Sequence, residues 1–242
     1  MLELLIAAAM LAQTTAAPAP ALVSPEARAL IASVQASIDQ EQARQAALPL
    51  PKDDAERLVR LGRLDQIPRR VALSFDYSTL PQAERDAAMR AAFAPIEAQD
   101  KSNREALLAL LPPEGWFLRS RYGDKAATSA FHIIQHADTA AQERFLPALE
   151  PLVRAGEFEG QNYGMMFDRV ATSNGRQQRY GTQFRCDGGK WRPYPIEDEA
   201  GLEARRALLA FPDPYAEYKA RMQSGPPCPQ TRSPPPPGMK LD

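Results

Sequence analysis

Apolar residues recur at helical spacing through most of this chain. Leu30, Ile31, Val34 and Ile38 form the first stripe, opened by Ser24-Pro25. Serine caps free N–H groups and proline suits a first turn, so a helix is predicted through about Ala47, stopped by Pro49 and Pro51. Asp53-x-x-Glu56 is a capping box for a second helix carrying Leu58, Val59, Leu61 and Leu64. Thr79-x-x-Gln82 opens a third that runs through Ala94, and Ile96 to Leu111 forms a fourth, ended by Pro112-Pro113. In the fifth, Asp124 to Ala137, the residues Ala126, Ala127, Ala130, Phe131, Ile133, Ile134 and Ala137 fill one arc. Thr128, Ser129, His132, Gln135 and His136 fill the opposite arc. Thr139-x-x-Gln142 starts a sixth helix with Phe145, Leu146, Leu149 and Leu152, ended at Gly156. Gln161 to Ala171 is a seventh, with Tyr163, Met166, Phe167 and Val170 as its apolar stripe and Asp168 opposite.

The period then changes. After the turn signal Asn174-Gly175, Gln177 to Cys186 alternates as a strand, with Tyr180, Thr182, Phe184 and Cys186 on one face. Asp187-Gly188-Gly189 is a hairpin turn that returns through Trp191 and Tyr194. The acidic run Glu197-Asp198-Glu199 precedes an eighth helix holding Leu202, Leu208 and Leu209, and Asp213-Pro214 opens a ninth. The fold class is therefore mainly α: a multi-helix domain with one antiparallel β-hairpin on its C-terminal side. A lone hairpin is marginal in water, so it must pack on the helices.

The chain ends read differently. Leu4 to Ala12 is a short apolar run followed by small residues through Ala17, the pattern of a secretory signal peptide. It is too short to span a bilayer, which needs about 20 apolar residues. The expected organisation is a signal peptide at 1–17, a linker at 18–23, one helical domain at 24–222 and a proline-rich tail at 223–242. This implies a periplasmic or secreted protein without a transmembrane span. Hydrophobic residues make up 44% and charged residues 24% of the chain, which is enough for a sizeable core. A formal net charge of −1 supplies no field for nucleic acid, which is not expected as a partner. The two cysteines, Cys186 and Cys228, fix no pattern, and pairing or two free thiols are equally compatible with them. Oligomeric state is left open.

The candidate chemistry lies in three polar runs. Gln135-His136-Ala137-Asp138 holds one of only two histidines, and Asp168-Arg169 and Gln178-Arg-Tyr180-Gly-Thr-Gln183 follow. A histidine side chain can trade protons near neutral pH, and His136 can act as a base if Asp138 or Asp168 orients its ring, so these three are the candidate catalytic residues. Arg169 has the fork geometry for a carboxylate or phosphate, and with Gln178, Tyr180 and Gln183 it forms the candidate ligand-binding set. His132 and His136 have helical spacing suited to zinc, but the intervening residues are Ile133, Ile134 and Gln135, without the glutamate of a zinc protease helix. No metal is expected, and with no dinucleotide fingerprint or phosphate-cradling glycine loop, no cofactor.

These residues resemble a bacterial family known only as a domain of unknown function. The shared features are a Gln-His-Ala-Asp motif, an Asp-Arg pair and a Gln-x-Tyr-Gly-Thr-Gln strand, with a trailing Arg205-Arg206. The resemblance covers about 98–218 and implies membership rather than an activity. The position of His132 is usually apolar or aromatic in that family, a departure that weighs against a two-histidine metal site.

The same residues have plainer roles. Asp138 can cap the sixth helix, Asp168 and Arg169 can pair with the hairpin, and the glutamines can satisfy buried backbone groups. Three functions therefore stand side by side. They are recognition of a small polar or anionic molecule, a hydrolase-like enzyme with His136 as general base, and a cell-envelope scaffold whose polar network is structural.

Overall fold

The computed structural model describes residues 24–225 and Met239. The expected signal peptide, the linker and the tail beyond 225, apart from Met239, lie outside the described residues.

Helix α1 (Pro25–Ala46) begins where the Ser24 hydroxyl accepts the Ala27 N–H at 3.3 Å. Helix α2 (Asp54–Ser74) begins where the Asp53 carboxylate accepts the Glu56 N–H at 2.8 Å. The expected third and fourth helices are one, α3 (Gln82–Ala109), with Pro95 inside it. Proline removes a ladder hydrogen bond and crowds the preceding turn, which is why the sequence reads as two helices. Tertiary packing outweighs that cost: Ala88, Ala92 and Ile96 are all buried on either side of the proline. Leu30, Val34, Ala72, Ala92 and Ile96 seal α1, α2 and α3 into one layer.

A short helix that periodicity did not predict, α4 (Arg119–Tyr122), leads into α5 (Asp124–Gln135), followed by α6 (Thr139–Arg154) and α7 (Gly160–Ser173). Helix α5 buries Ala126, Ala127, Ala130, Phe131, Ile133 and Ile134 of the arc its spacing predicts; Ala137 lies past its end and is half-buried. It lies tightly against α2. A Cβ at Gly62 of α2 would stand 2.3 Å from the Ser129 hydroxyl oxygen of α5, so only glycine permits this approach. The main core joins these helices through edge-to-face aromatic pairs. Trp116 meets Phe145 at 5.3 Å and Phe158 at 5.7 Å between ring centroids, and Phe131 meets Phe158 at 5.5 Å.

Strands β1 (Phe184–Asp187) and β2 (Lys190–Pro193) form an antiparallel hairpin, with Asp187 opposite Lys190. The two-residue turn places Gly188 and Gly189 at φ +58° and +80°, the left-handed region that a twisted hairpin demands. The strand expected from Gln177 starts only at Phe184. Before it, Gly181 turns the chain at φ +72°, and the N–H groups of Arg179, Tyr180 and Thr182 bond a side chain of α7 instead of a partner strand. Helices α8 (Leu202–Leu208) and α9 (Tyr215–Gln223) complete the chain. Leu202 is buried as expected, but Leu208 is 83% exposed. Cys186 is disulfide-bonded; the other cysteine of the chain, Cys228, lies outside the described residues.

Among the described residues the architecture is thus nine α-helices and one two-stranded antiparallel sheet, the mainly α class expected. No described helix is long and apolar enough to cross a membrane.

Candidate functional site

His136 is the C-cap of α5, where its N–H closes the last turn on the His132 carbonyl at 3.1 Å. Its ring turns towards α2. Nδ1 lies 3.0 Å and 3.1 Å from the two carboxylate oxygens of Asp65. An ionised carboxylate only accepts, so Nδ1 carries the proton and the neutral ring keeps Nε2 as its acceptor. The His136 side chain is 22% exposed, whereas that of Asp65 is 1% exposed.

Asp65 is a residue that sequence reasoning missed. It also accepts from Arg69 Nη1 at 2.8 Å and from Gln66 Nε2 at 2.6 Å. Arg69 in turn bonds Asp100 of α3. Burial opposes ionisation of Asp65, but His136, Arg69 and Gln66 together hold its carboxyl below the ordinary value. A signal was present in the sequence. Leu58, Gly62, Asp65, Pro68, Arg69 and Ala72 share the buried side of α2, so a charged pair sits on an otherwise uncharged helix face. His132, one turn before His136, stacks on it with ring centroids 6.4 Å apart and planes 22° apart. Burial pulls the His132 pKa down. Among the described residues, no three His, Cys, Asp or Glu side chains stand together as metal ligands.

The other expected site residues fall into two groups. Asp138 is the N-cap of α6, accepting the Ala141 N–H at 2.8 Å, and pairs with Arg104 at 2.7 Å rather than with His136. Arg169 reaches across from α7 and donates to the Gln135 carbonyl at 2.8 Å, one residue before His136. A cation at a helix C-terminus complements the helix dipole there. The Gln-His-Ala-Asp and Asp-Arg motifs therefore meet at the end of α5.

Asp168 belongs elsewhere. It is fully buried and gathers the loop ahead of the hairpin, accepting the N–H of Arg179 at 2.7 Å, Tyr180 at 3.0 Å and Thr182 at 2.9 Å, and the Thr182 hydroxyl at 2.9 Å. Burial pushes its carboxyl up, against the pull of these donors. Gln178, also fully buried, donates to the carbonyls of Gln183 at 3.1 Å and Tyr194 at 2.8 Å and accepts the Gln183 N–H at 2.8 Å. The Gln183 amide turns inward to the Thr182 hydroxyl at 3.1 Å. Tyr180 is buried, with its carbonyl taken by Arg206 at 2.8 Å. Arg205 holds the Arg179 carbonyl at 3.0 Å. The structure thus brings Asp168, Gln178, Tyr180 and Gln183 into one network with the Arg205-Arg206 pair. Among the described residues no hydrogen bond or ion pair joins that network's Asp168 or Gln183 to His136.

A family model matches residues 57–224. The chain belongs to a family of unknown function, DUF6624. The DUF6624 match begins within α2, so it takes in Asp65 and Arg69 and reaches further towards the N-terminus than the polar motifs alone. Comparisons with curated proteins and with solved structures give no match.

Beside His132 the fold leaves a groove of about 380 Å³ between α2 and α5. Gln66, Arg70, Lys125, Thr128, Ser129 and His132 line it, along with Arg63. Arg63 is committed to Glu41 by two hydrogen bonds, at 2.8 Å and 3.0 Å.

Proposed function

We propose that this protein recognises a small anionic ligand in the groove between α2 and α5. The observation that carries this reading is two cations facing each other across the groove, whose one lining carboxylate, Asp124, is bonded to Arg119 at 2.8 Å. Arg70 and Lys125 both face it and make no ion pair among the described residues. Thr128, Ser129 and Gln66 add neutral hydrogen-bonding groups beside them. His132 closes the groove towards His136 and Asp65, so ligand charge would be felt by the half-buried histidine pair. Arg169 supports the same end of α5 from behind. Asp138, Asp168, Gln178, Tyr180 and Gln183 serve as framework in this reading: Asp138 caps α6, and the other four belong to the network that holds the loop ahead of the hairpin.

The chain carries two histidines, so their ring protons can be followed individually by NMR. Titration with phosphate, acetate and citrate should shift the His132 signals saturably for at least one of them. Joint replacement Arg70→Ala and Lys125→Ala should weaken that binding about tenfold or more, the loss of roughly 1.4 kcal/mol. If no anion moves His132, or the double variant binds as well as the wild type, the reading fails.

A second reading is favoured by one observation: Asp65 holds His136 by Nδ1 and leaves Nε2 as a free base. That is the arrangement of a general base oriented by a carboxylate. Turnover of a chromogenic ester or phosphoester, abolished in His136→Gln and reduced in Asp65→Asn, would support a hydrolase-like enzyme. Binding without turnover supports recognition alone. Export belongs to either reading, on the apolar run at Leu4 to Ala12 and the small residues after it. The mature protein is expected to start after about Ala17, and an intact mass that includes Met1 in envelope extracts would contradict export.

A further inference from the structure

A second groove, of about 490 Å³, lies between the hairpin and α9. It shares no residue with the groove between α2 and α5. Arg185 of β1, Arg192 of β2 and Lys219 of α9 line it, with Asp187 and Gln223. Arg185 and Arg192 stand directly opposite each other in the strand ladder, so their side chains leave the same face. Like charges in that relation repel. Asp187 lies on this face too, two residues from Arg185. Its Oδ2 is 3.3 Å from both Arg185 Nη1 and Arg192 Nε. Those are long for charge-assisted hydrogen bonds, which favour about 2.7–2.9 Å.

Arg185 is the unusual member. Its side chain is only 6% exposed, and its Nε is buried without a hydrogen-bond partner. A buried guanidinium N–H left unpaired is unfavourable, and the Nε edge is the side of the fork that best matches an oxyanion. Lys219 makes no ion pair among the described residues. Three cations thus converge on a concave surface that contributes a single carboxylate.

We propose that this groove binds a phosphoryl group, carried by a small phosphomonoester or present as free phosphate. Arg185 gives directional hydrogen bonds from below, and Arg192 and Lys219 supply charge at the rim. The Gln223 amide reaches the Trp191 carbonyl at 3.3 Å, which holds the end of α9 against β2 and keeps the wall in place. The groove exceeds the size of a phosphate ion, which leaves room for an organic group.

The test uses the full ¹⁵N-labelled chain and the side-chain Nε–H signal of Arg185, assigned by through-bond correlation from its own backbone. Inorganic phosphate and glycerol 3-phosphate are titrated separately at an ionic strength fixed with chloride. A saturable shift of the Arg185 signal is expected, weakened about tenfold in Lys219→Ala, which removes a half-buried side chain that makes no ion pair among the described residues. Tighter binding of glycerol 3-phosphate assigns the site to an ester, and equal or tighter binding of phosphate assigns it to the ion. The proposal is overturned by absence of a saturable shift with either probe, by the same shift with chloride alone, or by unchanged affinity in Lys219→Ala.

Discussion

Replacing Asp168 by alanine tests whether the Gln-x-Tyr-Gly-Thr-Gln segment is held by this one carboxylate. Asp168 is fully buried and accepts three backbone N–H groups, from Arg179, Tyr180 and Thr182, besides the Thr182 hydroxyl. The segment has no strand partner to take those donors over. Its only described ladder contact is a single bridge between Gln178 and Ile196. Each buried donor left unpaired costs about 1–3 kcal/mol, so the three together set a range of about 3–9 kcal/mol. Water entering the vacated space recovers part of this, and neighbouring losses are not additive, which places the expected loss near 4 kcal/mol. Against a typical total of about 5–15 kcal/mol, the variant should be folded but visibly weakened. Asp168→Asn keeps the volume and the Oδ1 bonds to Arg179 and Tyr180. Its amide then meets the Thr182 N–H donor to donor, and about half the effect is expected. Urea unfolding followed by circular dichroism, compared at equal slope, measures both. A loss below about 2 kcal/mol for Asp168→Ala at unchanged slope would refute the clamp.

Two further outcomes follow from α2 and α5. Gly62→Ala sets a methyl group against Ser129, with the new Cβ 2.3 Å from its Oγ and 2.5 Å from its Cβ, so the two helices must part. A loss of about 1–3 kcal/mol is expected, partly recovered by Ser129→Gly in the same chain, and an unchanged urea midpoint would contradict the packing account. His132 has a pKa lowered by burial from 6.5, so the unfolded chain binds the proton more tightly than the folded one. Its contribution to stability is present above the ordinary histidine value and is lost as pH falls towards the lowered one. Unfolding free energy should therefore drop between about pH 7 and pH 5, less steeply in His132→Phe, and identical pH slopes in the two proteins would refute this.

The helices were largely legible because burial of a face leaves a period in the sequence. The arc of Ala126, Ala130, Phe131 and Ile134 predicted which side of α5 is buried, and Asp187-Gly188-Gly189 predicted the hairpin turn, since few residues tolerate positive φ. Legibility failed where a local rule was outweighed by distant contacts. Pro95 split one helix into two on paper, and packing of Ala88, Ala92 and Ile96 carried α3 through it. Gln177 to Gln183 alternated like a strand, yet a buried carboxylate from another helix took its N–H groups.

The candidate site divides in the same way. The sequence by itself singled out polar residues, because His136, Asp168, Arg169, Gln178 and Gln183 stand out against the apolar periodicity, but it passed over Asp65 and Arg69. It also placed both histidines away from the apolar arc of α5. Only the tertiary structure decided their partners. Asp65 lies 71 residues before His136 in the chain, and nothing local to either one links them. Asp138, two residues away, was the nearer carboxylate but is drawn to the start of α6. A helix cap is a local bond and can be read from neighbours in sequence. A charge pair between helices depends on which faces pack, and here that is set by one glycine, Gly62, allowing α2 and α5 to touch.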